Sequence, residues 1–190
     1  MKKEVLVRRM AHCLIAFAPL YFLLPDDLPF IGLRRWVLLI AFLAGIGAFD
    51  AWRRHKGITF LGLKPHERKG IASYAWAAAG VTFVLWFITQ DIATASLVSM
   101  AFVDPFAGEL RVRYGKKPWL VTSSGMVYFA LAFTVMALWA DHTIAQSSIL
   151  ALVGAGVAIP SELLKVRYLD DDFTMLVFPA MAMSLAAGLL

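Results

Sequence analysis

The chain has 190 residues, of which 61% are hydrophobic and 16% charged, and its mean hydropathy is +0.73. This composition is too apolar for a soluble domain of that length and predicts an integral membrane protein. The net charge of +5 could indicate a nucleic-acid partner. The distribution of the basic residues favours membrane topology as the explanation instead, so we expect no nucleic-acid partner.

Seven apolar segments predict an all-α, polytopic membrane fold in a single domain, residues 1–190. In chain order they are 11–24, 36–49, 70–90, 92–103, 118–140, 143–161 and 173–190. Four of them approach or exceed the roughly 18 residues that a helix needs to cross a bilayer. The fourth in order is too short for a hydrocarbon core of about 30 Å. It must therefore continue past Asp104, or irregular backbone buried in protein must complete the crossing.

The basic residues predict a cytoplasmic N-terminus. If all seven segments cross, 16 of the 18 Lys and Arg residues lie on the cytoplasmic side, and only Arg34 and Arg35 lie outside. The positive-inside rule predicts this asymmetry, which is lost if one segment is dropped. The longer polar connections 50–69, 104–117 and 161–172 then share the cytoplasmic face, where an enzyme would meet a soluble cosubstrate.

The first of these connections contains the sequence GLKPHERKG. This nine-residue sequence has a single histidine and no cysteine, so it matches no zinc motif. Two interpretations remain: Arg68 and its neighbours contact a substrate phosphate, or they form a solvated basic entry to a membrane helix. His12, His55 and His142 show no constellation with other chemistry-bearing residues.

The second connection, VDPFAGELRVRYGKK, combines acids with cations. Proline disfavours helix at the residue before it, so we expect Asp104 at a kink near the inner end of the fourth helix. The alternative is a helix-end carboxylate that pairs with a nearby cation. Glu109 and Arg113 are four residues apart and can pair on a helix. Arg111, Arg113 and Lys116 can hold phosphates or form a basic patch that faces anionic lipid.

The third connection ends in Asp170, Asp171 and Asp172, directly before the last apolar segment. One acid satisfies the exposed N–H groups at a helix start, whereas three adjacent acids repel one another and favour a cation. Glu162 lies upstream, either as a helix-end acid or as part of the site. Charge at the edge of a membrane core is costly and indicates function. Carboxylates beside cations suit Mg²⁺ with a nucleotide.

Four blocks in order, ERKGIASYAWAAAGVTFVLWF, VDPFAGELRVRYGKKP, SSGMVYF and LDDDFTM, give a family resemblance over about residues 64–179. The chain resembles the CTP-dependent lipid kinases of the dolichol kinase and phytol kinase type, which are related to the phosphatidate cytidylyltransferases. Six residues match the family's Asp-Pro block: Asp104, Pro105, Ala107, Arg113, Tyr114 and Gly115. Asp170 and Asp171 match the start of an Asp-Asp-Asn block, with Asp172 in place of Asn, and Glu162 matches an upstream glutamate.

The chain departs from the family pattern in one block. Residues 121–125, VTSSG, stand where the family usually has Lys-Ser-x-Glu-Gly, so the lysine and the glutamate are absent. Arg111 stands where the family often has glycine, and Glu109 where it has an apolar residue. Our hypothesis is that these two residues replace the missing charges.

The resemblance implies a membrane-embedded kinase that moves the γ-phosphate of CTP to the hydroxyl of a long-chain lipid alcohol of the polyprenol type, with Mg²⁺ and a cytoplasmic active face. It implies metal binding by Asp104, Asp170 and Asp171. The implied nucleotide-binding residues are Arg68, Arg111, Arg113 and Lys116, and the implied catalytic residues are Asp104, Glu109 and Glu162. Two alternatives stay open: a cytidylyltransferase that makes a CDP-lipid from a lipid phosphate, and a non-catalytic lipid-binding or transport protein.

Overall fold

The computed structural model describes residues 3–28, 32–60, 62–63, 65–115, 117–139, 141–163 and 169–190, without the side chains of 3–5, 65–66 and 162–163. The fold is all-α, as predicted. Its helices are α1 Lys3–Leu14, α2 Trp36–Lys56, α3 Ser73–Phe87, α4 Gln90–Tyr114, α5 Pro118–Trp139, α6 Ile144–Leu163 and α7 Asp171–Ala187. A 3-10 segment, Ile15–Leu23, continues α1 directly, and a second one, Pro65–Arg68, precedes α3.

The connection between the first 3-10 segment and α2 contains a small antiparallel hairpin. Its strands are β1 Asp27–Leu28 and β2 Leu33–Arg34, with Asp27 opposite Arg34. The sequence patterns had not predicted strands here, because two-residue strands are too short to show an alternation of apolar and polar residues.

Four helical segments within the described residues are long and apolar enough to cross a bilayer: Leu6–Leu23, Trp36–Lys56, Pro118–Trp139 and Ile144–Ser161. They indicate a helical membrane protein. The remaining helices differ in kind, since α3 and α7 have 15 and 17 residues and α4 carries charges near both ends. A crossing by all seven segments therefore stays a prediction.

Helix α4 is the centre of the bundle and packs against α1, the 3-10 segment Ile15–Leu23, α5 and α7. Ten of the twelve residues from 92 to 103 are buried, and many of them are alanine or serine. Such small side chains allow close helix contacts in membranes, where no hydrophobic effect drives helices together. Helix α2 lies at the periphery and packs mainly against α3.

The expected end of the fourth helix was wrong. Asp104 and Pro105 lie inside α4, which continues to Tyr114 and ends at Gly115. Proline removes one backbone hydrogen bond, but neighbouring helices allow a membrane helix to continue through it. The segment before Pro105 is buried against neighbouring elements, so packing overrides the local preference. Of the two alternatives for the short fourth segment, continuation past Asp104 is the correct one.

Different polar and aromatic contacts hold the helices together at the two ends of the bundle. One end, here called the N-terminal end, holds Arg9–Glu109, Arg53–Gly70, Ser73–Asp170 and Thr174–Ser161. The opposite end holds Asp91–His142 and Trp36–Trp86. The start of α1 thus lies at the same end of the bundle as the ends of α2, α4 and α6. The starts of α3 and α7 lie at this end too.

Gly154 of α6 marks a close approach of three helices. A Cβ atom at this position would lie 2.7 Å from Met183 Sδ and 3.0 Å from Tyr128 Cε1. We expect Gly154→Leu to lower the free energy of unfolding by about 1–3 kcal/mol through overpacking. Gly156→Leu on the same helix is the matched control, because a Cβ there meets nothing within 4 Å.

Both substitutions gain the same helix propensity, so their difference in thermal unfolding in detergent isolates the packing cost. Equal midpoints for the two variants would contradict the close approach.

Candidate active site

His12 lies between two carboxylates that are far apart in the sequence. Its Nδ1 is 3.1 Å from Oδ2 of Asp104, and its Nε2 is 3.9 Å from Oδ1 of Asp172. Arg8 lies one helical turn earlier on the same face of α1, and its Nη2 donates to Asp172 Oδ1 at 3.3 Å. Helix α1 therefore brings an imidazole and a guanidinium group to a carboxylate from α4 and one from α7.

Asp172 is the most enclosed acid of this group, with a side chain that is 3% exposed. A buried carboxylate is stable only with partners, and Arg8 and His12 supply them. Arg8 also lies within electrostatic range of Asp104, Asp171 and Glu67. One cation thus faces several acids at the N-terminal end of the bundle.

The three adjacent aspartates form a compact set of oxygen ligands. One carboxylate oxygen from each of Asp170, Asp171 and Asp172 lies within 4.8 Å of the others. Asp170 also caps α7, because its Oδ1 accepts from the backbone N–H of Asp172 at 3.1 Å. Hard carboxylate oxygens at this spacing fit a divalent cation such as Mg²⁺.

Ser73 connects the start of α3 to the aspartates. Its hydroxyl donates to the carboxylate of Glu67, and its oxygen lies 3.4 Å from Asp170 Oδ2. Glu67 is only 3% exposed, although a solvated entry to a membrane helix was one of the two interpretations of this connection. The connection between α2 and α3 therefore contributes a buried acid to the same end of the bundle.

A cavity of about 590 Å³ opens beside this cluster. Its polar end is lined by Arg8, His12, Glu67, Ser73 and Asp172. The rest of its wall is apolar and comes from α1, the 3-10 segment Ile15–Leu23, α2, α3 and the connection between α2 and α3. The volume lies in the range of small-molecule sites, and the division into a polar end and an apolar wall suits an amphiphile.

A buried ion pair supports the wall of the cavity from behind. Arg53 Nη2 donates to Asp50 Oδ1 at 2.8 Å and to the backbone carbonyl of Gly70 at 2.9 Å. Tyr74, which lines the cavity, donates to the same oxygen of Asp50 at 2.9 Å. Arg54 Nε lies 3.0 Å from the other carboxylate oxygen. These contacts join α2 to the start of α3, directly beside Ser73.

The residues predicted from the sequence are divided between this cluster and its surroundings. Asp104, Asp170 and Asp171 belong to the cluster, although Asp172 rather than Asp104 completes the compact aspartate set. Glu109 lies one turn further along α4, where its carboxylate accepts from Arg9 and, at 2.7 Å, from Arg113. The pairing of Glu109 with Arg113, predicted from their spacing of four residues on a helix, is thereby confirmed.

The structure describes the side chains of only two of the other predicted residues, Arg68 and Arg111. Arg68 and Arg111 are exposed at the same end of the protein. Lys116 lies outside the described residues, and so does the side chain of Glu162, whose backbone belongs to α6. The hypothesis that Arg111 and Glu109 replace missing family charges stays a prediction.

Sequence reasoning missed Arg8, His12, Glu67 and Ser73. The expectation that His12 has no constellation was wrong, because its partners Asp104 and Asp172 come from other helices. One signal was available: Arg8 and His12 are four residues apart, so they share a helix face at the start of an apolar segment. The positive-inside rule already accounted for the charge of Arg8, so a contact between its side chain and an acid of another helix was not predicted.

Comparison of the chain with protein-family models, with curated proteins and with solved structures found no match.

Proposed function

We propose that the protein is a membrane-embedded phosphotransferase that moves the γ-phosphate of CTP to the hydroxyl of a long-chain lipid alcohol, with Mg²⁺ as the metal. The observation that carries the proposal is the placement of the acids, Arg8 and His12 at the polar end of an apolar cavity. A lipid alcohol has the same division into a polar head and an apolar chain. The preference for CTP rests on the family resemblance.

The proposal includes seven membrane crossings with the N-terminus and the site in the cytoplasm. Its support is the distribution of basic residues, together with the contacts that join alternate helix ends at each end of the bundle. A cytoplasmic N-terminal end would give the nucleotide access from the solvent and the lipid access from the bilayer.

In the proposed reaction the hydroxyl oxygen of the lipid attacks the γ-phosphorus. The bond between that phosphorus and the bridging oxygen breaks, and CDP leaves with the bonding electron pair. Positioning and charge neutralisation supply most of the rate enhancement in such transfers. Mg²⁺, when bound by Asp170, Asp171 and Asp172, would neutralise phosphate charge.

His12 is the proposed proton acceptor, because its side chain lines the cavity and Asp104 holds Nδ1. The other ring nitrogen, Nε2, then takes up the proton. The imidazole takes the proton of the lipid hydroxyl while Asp104 fixes the orientation of the ring. Arg8 contacts phosphate oxygens in exchange for part of its contact with Asp172. Glu109 is a weaker candidate than the family suggested, since both its oxygens already accept from guanidinium groups.

The test is transfer of label from CTP to lipid in nanodiscs that contain a polyprenol or, in a parallel assay, a polyprenyl phosphate. Label at the γ-phosphate reaches the lipid only in a kinase. Label at the α-phosphate reaches a lipid phosphate only in a cytidylyltransferase, which uses the same metal and nucleotide. Transfer of neither label, with lipid still bound, would favour the non-catalytic lipid-binding alternative, for which the missing Lys and Glu at 121–125 are the specific support.

Nucleotide binding gives an independent prediction. CTP with Mg²⁺ at about 100 times its dissociation constant should stabilise the folded protein by about 2.7 kcal/mol. The effect should require Mg²⁺ and should be reduced in Asp171→Asn, because that substitution removes one of the three clustered carboxylates. Asp141→Asn, an exposed acid at the opposite end, is the control. Stabilisation that is identical with and without Mg²⁺ would contradict the assigned metal site.

A further inference from the structure

The cavity is too short to hold a long lipid chain. On α3 its lining extends from Ser73 at the polar end to Val81. Eight residues of helix correspond to about 12 Å, which is less than half of a hydrocarbon core of about 30 Å. A chain of only a few isoprene units fills that length, so a longer chain must leave the cavity.

The cavity also has a side open to the bilayer. Helix α1 packs against α4 whereas α2 packs against α3, so the cavity occupies the space between α1 and α2. The lining residues Leu14, Phe17 and Phe42 are 65%, 63% and 48% exposed. In a membrane protein, large apolar side chains with this exposure face lipid, because lipid tails are as apolar as leucine. They mark a lateral opening between the two helices.

The polar end identifies the occupant that fits. Ser73, His12 and Arg8 offer hydrogen-bonding groups to a small head that enters with its chain. Two acids, Glu67 and Asp172, lie at the same end, and without a bound metal ion they disfavour the phosphate of a phospholipid there. A neutral hydroxyl on an apolar chain is not repelled by these acids.

We infer that the cavity between α1, α2 and α3 binds the hydroxyl-proximal units of the acceptor alcohol, and that the rest of the chain passes between α1 and α2 into the bilayer. The inference rests on the proposed function, because it takes the occupant to be the acceptor. It implies that the protein recognises the units next to the hydroxyl and is insensitive to the length of the chain beyond them.

The test uses two photoreactive polyprenols and the unaltered protein in nanodiscs without nucleotide. One probe carries a diazirine in the unit next to the hydroxyl, and the other carries it at the far end of a long chain. The near probe should label cavity residues such as Ala77 and Ala78, and the far probe should label them about tenfold less. Equal labelling by the far probe, or by a phospholipid with a diazirine in its acyl chain, would overturn the inference.

A substitution gives the second measurement. Ala77→Phe places a ring in the middle of the cavity and should reduce labelling by the near probe about tenfold, which corresponds to about 1.4 kcal/mol. The matched control is Ala44→Phe, an exposed position on α2 that does not line the cavity. Unchanged labelling in folded Ala77→Phe would contradict the assigned position of the chain.

The outcomes separate the two proposals. Labelling as expected without phosphate transfer would reject the proposed reaction and retain the lipid site. Transfer to polyprenol without cavity labelling would reject the lipid site and retain the reaction.

Discussion

Replacing His12 by glutamine is expected to lower the rate of phosphate transfer by about a hundredfold to ten-thousandfold, the usual contribution of a general base. Glutamine keeps much of the side-chain length but cannot take up the hydroxyl proton. The measurement is the initial rate of label transfer from γ-labelled CTP to a polyprenol in nanodiscs. Asp104→Asn should also lower the rate, because the amide no longer holds His12 Nδ1 as a carboxylate does.

The control is a second histidine–aspartate pair at the opposite end of the bundle. His142 Nε2 lies 2.6 Å from Asp91 Oδ2, so His142→Gln removes a comparable contact without touching the cavity. We expect this variant to transfer phosphate at nearly the normal rate. An equal loss of rate in both histidine variants would assign the effect to stability, and a normal rate in His12→Gln would remove His12 from the proposed mechanism.

Removal of the Arg53 side chain is expected to have the largest effect on stability. Arg53→Met leaves the carboxylate of Asp50, which is 2% exposed, without its nearest cation. Breaking a buried ion pair costs about 3–5 kcal/mol, because the remaining charge is uncompensated. The measurement is the free energy of unfolding in mixed micelles.

Two further variants define the cause. Arg54→Met should cost less, since Arg54 is partly exposed and Arg53 still compensates Asp50. The double variant Asp50→Leu/Arg53→Met should recover a large part of the loss, because an apolar pair of similar volume often replaces a buried ion pair without cost. A double variant no more stable than Arg53→Met would show that the contacts to Gly70 and Tyr74 dominate instead.

The helices were predictable because hydropathy is a local property. The apolar segments 118–140 and 143–161 correspond closely to α5 Pro118–Trp139 and α6 Ile144–Leu163. Asp170 was recognisable as a residue at a helix start from its position alone, and it caps α7. Helix α2 was predicted to end at residue 49, because the charges of Asp50 and Arg53 suggested a polar connection. Their mutual pairing allows the helix to continue to Lys56.

The amino-acid sequence by itself therefore determined the all-α membrane class, the approximate helices and the presence of acids beside cations. Only the tertiary structure decided which of these groups meet. Arg8 and Asp172 are 164 residues apart, and no periodicity or propensity connects positions at that separation. Their contact depends on how α1 and α7 pack around α4, which is a property of the whole bundle. The same packing keeps α4 helical through Pro105 and opens the cavity between α1 and α2.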